Sequence, residues 1–216
     1  MFEQEYVIDE NGNEMLLRDD EYQVMMEWEK PYMEGIIDEI APNGHILEIG
    51  FGCGYSATRI QFYKPKSHTI IECDPKVIKK AHDWAKNYKN IIIVENTWQK
   101  SLHTLGDYDF IFFDDYPLNM HTELREDNIV DISLQRNRLF MFVDICLDWH
   151  MKEGATLSAY LQDSKSKFED NHFQRLIINN PKVSYSEKII DVEVPSNCKY
   201  FKGCTAVIPI IKRTGV

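Results

Sequence analysis

The run His45-Ile46-Leu47-Glu48-Ile49-Gly50-Phe51-Gly52-Cys53-Gly54 constrains the fold more than any other stretch, because an apolar buried-strand pattern passes directly into a glycine-rich turn. Without a Cβ, such a turn lets backbone approach a ligand closely. About twenty residues further on, Ile70-Ile71-Glu72 offers a second apolar strand ending in a carboxylate, the group that accepts ribose hydroxyls in nucleotide-binding α/β sheets. Together the two stretches predict a βαβ unit built around a nucleoside.

The rest of the chain continues the alternation. Strands are expected at residues 90–95, 108–114 and 155–161, and helices at 56–62, 75–86 and 129–150. Pro75 suits a first helical turn, where its missing N–H is not needed. Lys152-Glu153-Gly154 reads as the end of the long helix and a chain reversal. Residues 1–19 are polar, carry the turn signal Asn11-Gly12-Asn13 and read as an N-terminal arm. From Asp20 the pattern turns helical, as two short helices or one kinked at Pro31, and opens a single domain over 20–216. Toward the end, 167–179 reads as helical, 185–194 as extended, 195–203 as a hairpin, and 205–211 as a closing strand. Pro209 within that strand predicts an edge, a bulge or the strand's end. The sum is an α/β fold, three-layer and Rossmann-like, with a mixed seven-stranded sheet that has one antiparallel member.

Composition narrows the ligand. A net charge of −11 repels a phosphate backbone and favours a cationic small molecule or basic peptide, so no nucleic-acid partner is expected. The five cysteines, 53, 73, 146, 198 and 204, form no CxxC pair, which favours reduced thiols over disulfides or zinc. No apolar run approaches the roughly 18 residues of a membrane span, and the acidic start lacks a signal-peptide pattern. A cytoplasmic protein without membrane partner or metal is expected.

The spacing Gly50-x-Gly52-x-Gly54 departs from the Gly-x-Gly-x-x-Gly of dinucleotide sites. Glu48, two positions earlier, would repel a pyrophosphate but suits the sulfonium and ammonium of S-adenosylmethionine. A methyltransferase is therefore the better fit. Amino-group methyltransferases acting on bases carry Asp/Asn-Pro-Pro-Tyr/Phe where this chain has Asp114-Asp115-Tyr116-Pro117; the additional carboxylate suits a guanidinium or ammonium. Glu29, Glu48, Glu72 and Asp114 are all expected near one crevice, although Glu27, Glu29 and Glu34 would equally make a solvated helix face.

Several motifs in order carry a family resemblance: Val24-Met25-Met26-Glu27-Trp28-Glu29-Lys30-Pro31-Tyr32-Met33, Leu47 to Gly52, Ile70-Ile71-Glu72-Cys73, Asp109 through Asp114-Asp115-Tyr116-Pro117-Leu118, and Val194-Pro195-Ser196-Asn197-Cys198-Lys199-Tyr200. Across roughly residues 20 to 212 the chain resembles the guanidinoacetate N-methyltransferase family, which includes the fungal arginine δ-N-methyltransferase. The resemblance implies that Glu29 and Asp114 grip a substrate guanidinium, with Tyr116, Leu161 and Gln162 beside it. It also implies a cofactor site of Met33, Glu48, Gly50, Phe51, Gly52, Glu72, Cys73, Thr97, Trp98 and Asp114, with Glu72 on the ribose, Trp98 bordering the adenine, and Met33 and the glycine turn along the methionine portion. S-adenosyl-L-homocysteine would be the product.

Guanidinium stays protonated, with a pKa above about 12, and is a poor nucleophile. Two carboxylates address this: they seat the planar fork, and one accepts a proton as nitrogen attacks. Asp114 is the expected acceptor, and Glu29 the orienting partner. Three departures from the family pattern stand out. Cys53-Gly54-Tyr55 replaces a Met-Ala-Ile-like stretch, Asp115 stands where threonine is usual, and Ser158-Ala159-Tyr160-Leu161-Gln162-Asp163 replaces a loop containing Cys-Asn-Leu-Thr that receives the substrate carboxylate. Asp115 is expected to add charge beside the reaction centre. The expected substrate is a small guanidino compound, with guanidinoacetate and thus creatine biosynthesis first. Arginine in a protein or peptide, and a non-catalytic cofactor-binding scaffold, are the alternatives. A monomer and a homodimer both fit.

Overall fold

The computed structural model describes residues 4–19, 22–116, 132–162 and 164–215. Its centre is a seven-stranded sheet in the order β6-β5-β4-β7-β8-β10-β9. The strands are β4 (His45–Ile49), β5 (Ser67–Glu72), β6 (Ile91–Glu95), β7 (Tyr108–Phe113), β8 (Met151–Ala159), β9 (Val183–Asp191) and β10 (Thr205–Arg213). β10 pairs antiparallel with both β8 and β9, and the remaining pairs are parallel, so it is the single antiparallel member.

Strand alternation sorts the apolar residues into two layers. On one face Ile46, Ile70, Phe110 and Phe112 pack with Tyr32, Met33, Ile36 and Ile37 of α1 (Lys30–Ile40), Ala57 and Ile60 of α2 (Tyr55–Phe62), and Val77 and Ala81 of α3 (Pro75–Ala85). On the other, Leu47, Ile49, Ile111 and Phe113 meet Trp98 of the short α4 (Trp98–Ser101) and Phe142, Val143, Cys146 and Leu147 of α5 (Ile132–Trp149). Each sheet face is thus covered by helices, as burying an apolar face on both sides requires. Local chemistry fixes the ends: the Asp74 side chain accepts from the N–H groups of Lys76 and Val77 ahead of α3, and Ala41 ends α1 in the left-handed region at φ 47°.

Three expectations change. The chain from Tyr22 to Met26 is a strand, β3, not a helix; with β1 (Gln4–Ile8) and β2 (Glu14–Arg18) it forms a separate antiparallel sheet, and the helix starts only at Lys30. Pro31 sits in its first turn and kinks nothing, because no earlier turn exists for its ring to break. Lys152-Glu153-Gly154 lies inside β8. There the pairing with β7 jumps from Tyr108↔Met151 to Phe110↔Thr156, with Gly154 at φ 77°, so the surplus residues are taken up as a bulge. Pro209 lies on an internal strand, paired with Glu187 of β9; β8 pairing is confined to Ile211 and Lys212, and the Ser158 hydroxyl donates to the Pro209 carbonyl at 2.6 Å. Residues 167–178 are helical as expected, but broken into a 3-10 turn, the one-turn α6 (Asn171–Phe173) and a π turn. Pro117, Leu118 and Asp163, together with the start of the expected long helix, fall outside the described residues.

Candidate active site

Strand order reverses between β4 and β7, and an open α/β sheet opens a crevice at such a point, beyond the carboxyl ends of its strands. A cavity of about 990 Å³ lies there. Its lining includes Gly50 and Gly52 after β4, Glu72 and Cys73 after β5, Thr97 and Trp98 after β6, and Asp114, Asp115 and Tyr116 after β7. Glu29 enters from the 3-10 turn ahead of α1, Tyr160 and Gln162 follow β8, and Lys199 and Tyr200 come from the loop between β9 and β10. The N-terminal sheet contributes Gln4, Leu16, Tyr22, Gln23 and Met25 as a cover.

The glycine turn is shaped by its neighbours. At Gly50 (φ 82°) a Cβ would stand 2.2 Å from the Asp114 carbonyl oxygen, and at Gly52 (φ 50°) one would stand 2.9 Å from the Met25 sulfur. Both positions therefore exclude side chains for conformational and steric reasons alike. Met25 Sδ accepts the Cys53 N–H at 3.3 Å, and the Tyr6 hydroxyl donates to the Gly52 carbonyl at 2.6 Å. Lys80 stands 3.8 Å over the Tyr6 ring and pairs with Glu14 at 2.5 Å. The N-terminal sheet is thus fastened to the turn and to α3.

Glu72 is buried and already well solvated by backbone. Its Oε2 accepts the Phe51 N–H at 2.9 Å, and its Oε1 accepts those of Cys73 and Asp74 at 2.7 and 2.9 Å. Burial raises its pKa, and the three N–H groups work in the opposite direction. With two bonds on Oε1 and one on Oε2, the spare lone pair is on Oε2 and suits a ribose hydroxyl.

Glu29 and Asp114 are in a different condition. Glu29 is 1% exposed, and burial pushes its carboxyl up to about 7 despite hydrogen bonds from Tyr200 and the Met26 N–H. Asp114 is half-buried and lines the cavity. Burial, then the negative charge of Glu29, raises it well above the usual carboxylate range, with Glu48, Asp115 and Glu72 adding to the effect. Like charges crowded out of water resist ionising together. A proton or a bound cation removes that penalty.

The other expected site residues divide. Gly50, Gly52, Glu72, Cys73, Thr97, Trp98, Tyr116 and Gln162 line the cavity; Met33, Glu48, Phe51 and Leu161 do not. Met33 is fully buried in the core. Phe51 presents its N–H to Glu72 while its ring packs on Trp84, centroids 5.4 Å apart. Leu161 donates its N–H to the Tyr32 hydroxyl at 3.3 Å. Glu48 points to the α2 side with Ile46, where it accepts from the Ser56 hydroxyl and lies 2.8 Å from His68 Nε2. Gln61 donates to His68 Nδ1, which leaves Nε2 to face Glu48. Alternation along β4 explains the displacement: the residue two before Gly50 shares a face with Ile46, so its charge is spent on a core histidine.

Asp115 lines the cavity and its charge bears on Asp114 as expected, but it is also held within the protein, accepting from Trp98 Nε1 at 2.8 Å and from Arg138 Nε at 2.8 Å. Tyr160, Tyr200 and Met25 were not singled out for roles by the sequence, though Met25 and Tyr200 lie inside the matching motifs. Tyr160 and Tyr200 stand against Glu29. For Met25 and Tyr200 their place inside those motifs was the available signal.

The sequence model of the guanidinoacetate N-methyltransferase family matches residues 9–214. The chain belongs to that family. Among curated proteins it is similar to protein arginine N-methyltransferase 2 of Candida glabrata, 39% identical over 110 residues, which is 48% of this chain and 27% of the relative. The protein of the same name from Saccharomyces cerevisiae is 36% identical over 116 residues, 50% of this chain and 28% of the relative. The matched stretch thus spans little more than a quarter of those relatives. Among solved structures the fold is similar to spermidine synthase from Thermotoga maritima, with a TM-score of 0.63 at 14% identity, covering 97% of this chain and 68% of that one. The N-methyltransferase NodS from Bradyrhizobium japonicum gives 0.59 at 12% identity, covering 87% and 97%. These likenesses show the class I, Rossmann-like methyltransferase fold. The family is one of S-adenosylmethionine-dependent methyltransferases, and the site fits that cofactor: a Cβ-free cradle, a backbone-held carboxylate for hydroxyls, and an acidic cavity for a sulfonium.

Proposed function

We propose that the protein transfers a methyl group to a nitrogen of a small guanidino compound, with guanidinoacetate the leading candidate. The observation that supports this most strongly is the convergence of Glu29 and Asp114, from distant parts of the chain, on one cavity in which burial raises both carboxyls and the Glu29 charge raises Asp114 further. A guanidinium matches that demand: it is planar, positively charged and offers paired N–H donors to carboxylates.

When bound, S-adenosylmethionine supplies a methyl carbon already activated on sulfonium. Glu72 and the glycine turn hold and orient it, with Thr97 and Trp98 at the far end of the cavity. Glu29 and Asp114 seat the guanidinium, and Asp114, on the rigid end of β7, takes the proton released as nitrogen attacks; a positioned base of this kind contributes about 10²–10⁴-fold. Tyr116 walls the substrate and Gln162 is placed to donate to its distal end. The N-terminal sheet over the cavity excludes water and favours a small substrate over an arginine presented on a folded protein. Through Gln4 and Leu16 the described part of the arm, residues 4–19, belongs to the working site in this reading.

A mass-shift screen with guanidinoacetate, free arginine, other guanidines and an arginine-containing peptide tests the reading. A gain of one methyl mass on a small guanidine supports it. Transfer to the peptide alone would assign the chain to protein substrates, and no transfer to any guanidine, with cofactor binding intact, would reject the guanidino assignment.

A further inference from the structure

Glu29 is restrained from two directions that are far apart in sequence. The Met26 N–H, on its own segment, donates to Oε1 at 2.9 Å. The Tyr200 hydroxyl, from the loop between β9 and β10, donates to the same Oε1. Neither bond is made to Oε2, so the carboxyl plane is set while that oxygen stays available to a ligand.

Tyr200 is itself held. Trp28, the residue before Glu29, packs against Phe201 with centroids 5.1 Å apart and lies 6.3 Å from the Tyr200 ring; Phe201 is 1% exposed. Gln23 on β3 brackets the loop, donating from Nε2 to the Asn197 carbonyl at 2.9 Å and accepting the Lys199 N–H on Oε1 at 2.7 Å. Burial and the neighbouring Glu29 charge push the Tyr200 phenol strongly upward, so it remains a proton donor across the working range. A donor fixed against a carboxyl that burial tends to neutralise favours the ionised carboxylate. Tyr160 also stands against Glu29 and favours its ionised form, but among the described residues its hydroxyl meets no partner in hydrogen-bond geometry, so it fixes the carboxyl plane less than Tyr200 does.

We propose that Tyr200, braced through its loop by Gln23, is a positioning residue that keeps Glu29 ionised and turned toward the substrate's cation. The cationic substrate is taken from the function proposed above; the hold of Tyr200 on Glu29 stands on the geometry alone. Through Gln23 the same brace joins the site to the N-terminal sheet, so substrate seating depends on the β9–β10 loop and β3 together.

The test is Tyr200→Phe, which keeps the ring packing and removes only the donor, with Gln23→Leu as a second variant that keeps the phenol and loosens the loop. The Glu29 carboxyl is followed by ¹³C NMR in glutamate-labelled protein, assigned by its loss in Glu29→Gln. In Tyr200→Phe the Glu29 midpoint is expected to move upward by about one unit, the effect of one hydrogen bond to a charged group, and in Gln23→Leu by less in the same direction. With whichever guanidino compound is turned over, the KM penalty of Tyr200→Phe should be about tenfold near pH 6.5 and shrink toward pH 9, exceeding the change in kcat. An unmoved Glu29 midpoint in Tyr200→Phe, or a KM penalty independent of pH, overturns the proposal. A shifted midpoint in a protein that methylates no guanidine would sustain the role of Tyr200 and reject the substrate instead.

Discussion

The two ends of the cavity hold their carboxylates in opposite ways. Glu72 sits among three backbone N–H donors, each within 2.9 Å, so its charge is largely answered before any ligand arrives. Asp114 accepts no side-chain hydrogen bond among the described residues, and its charge faces those of Glu29, Glu48, Asp115 and Glu72. The first arrangement reads neutral hydroxyls by geometry. The second holds a charge deficit that a proton or a bound cation relieves, and the proposed function uses it to select a cationic methyl acceptor.

Several substitutions break or sharpen this contrast. Asp114→Asn removes both the deficit and the proton acceptor; methyl transfer should fall about 10³-fold while cofactor affinity, measured by calorimetry, changes little. Activity near the wild-type level would equate the two ends and end the comparison. Glu29→Gln should cost about 10²-fold, mostly in KM, since one charge-assisted bond to the guanidinium is lost. Glu72→Ala should act at the other end, weakening cofactor binding about tenfold or more while leaving kcat at saturation close to normal; unchanged affinity would reject its ribose role.

A stability experiment probes the same deficit without substrate. Folded Glu29 keeps its proton up to about 7, against an ordinary value of 4.5. Between those values the folded state binds more protons than the unfolded one, so its contribution makes stability fall as pH rises, by up to about 3 kcal/mol above pH 7. Glu29→Gln should therefore be more stable than the parent at pH 8 in denaturant melts, with the advantage vanishing near pH 4. The smallest effect is on the pH–rate profile: kcat/KM should rise with pH through an acid limb no lower than about 7, because the cation needs Glu29 ionised and Asp114, also raised by burial, must be ionised to take the proton.

The parallel half of the fold was legible in the sequence because its signals are local. Apolar runs such as Ile91-Ile92-Ile93-Val94 and the glycine turn each announce their own structure. Elements whose form depends on distant partners were harder. Tyr22–Met26 carries apolar residues compatible with either period and becomes a strand through pairing with β2. Gly154 ends no helix, because a bulge opposite β7 absorbs it. In the site, motif order pointed to Glu29, Glu72 and Asp114, which the cavity brings together. It misplaced Glu48, because the identity of a residue next to a glycine turn says nothing about the histidine waiting on the neighbouring strand. It placed the Asp115 charge beside the reaction centre, where it bears on Asp114, but could not show its pairing with Arg138, 23 positions away.

The most direct measurement is calorimetric titration of guanidinoacetate into the protein saturated with S-adenosylhomocysteine, beside the same titration into Glu29→Gln and Asp114→Asn. Saturable binding near neutral pH that each substitution weakens at least tenfold is the result the paired-carboxylate account predicts. Binding of equal strength in all three proteins would contradict it, because the guanidinium would then be held somewhere other than between Glu29 and Asp114.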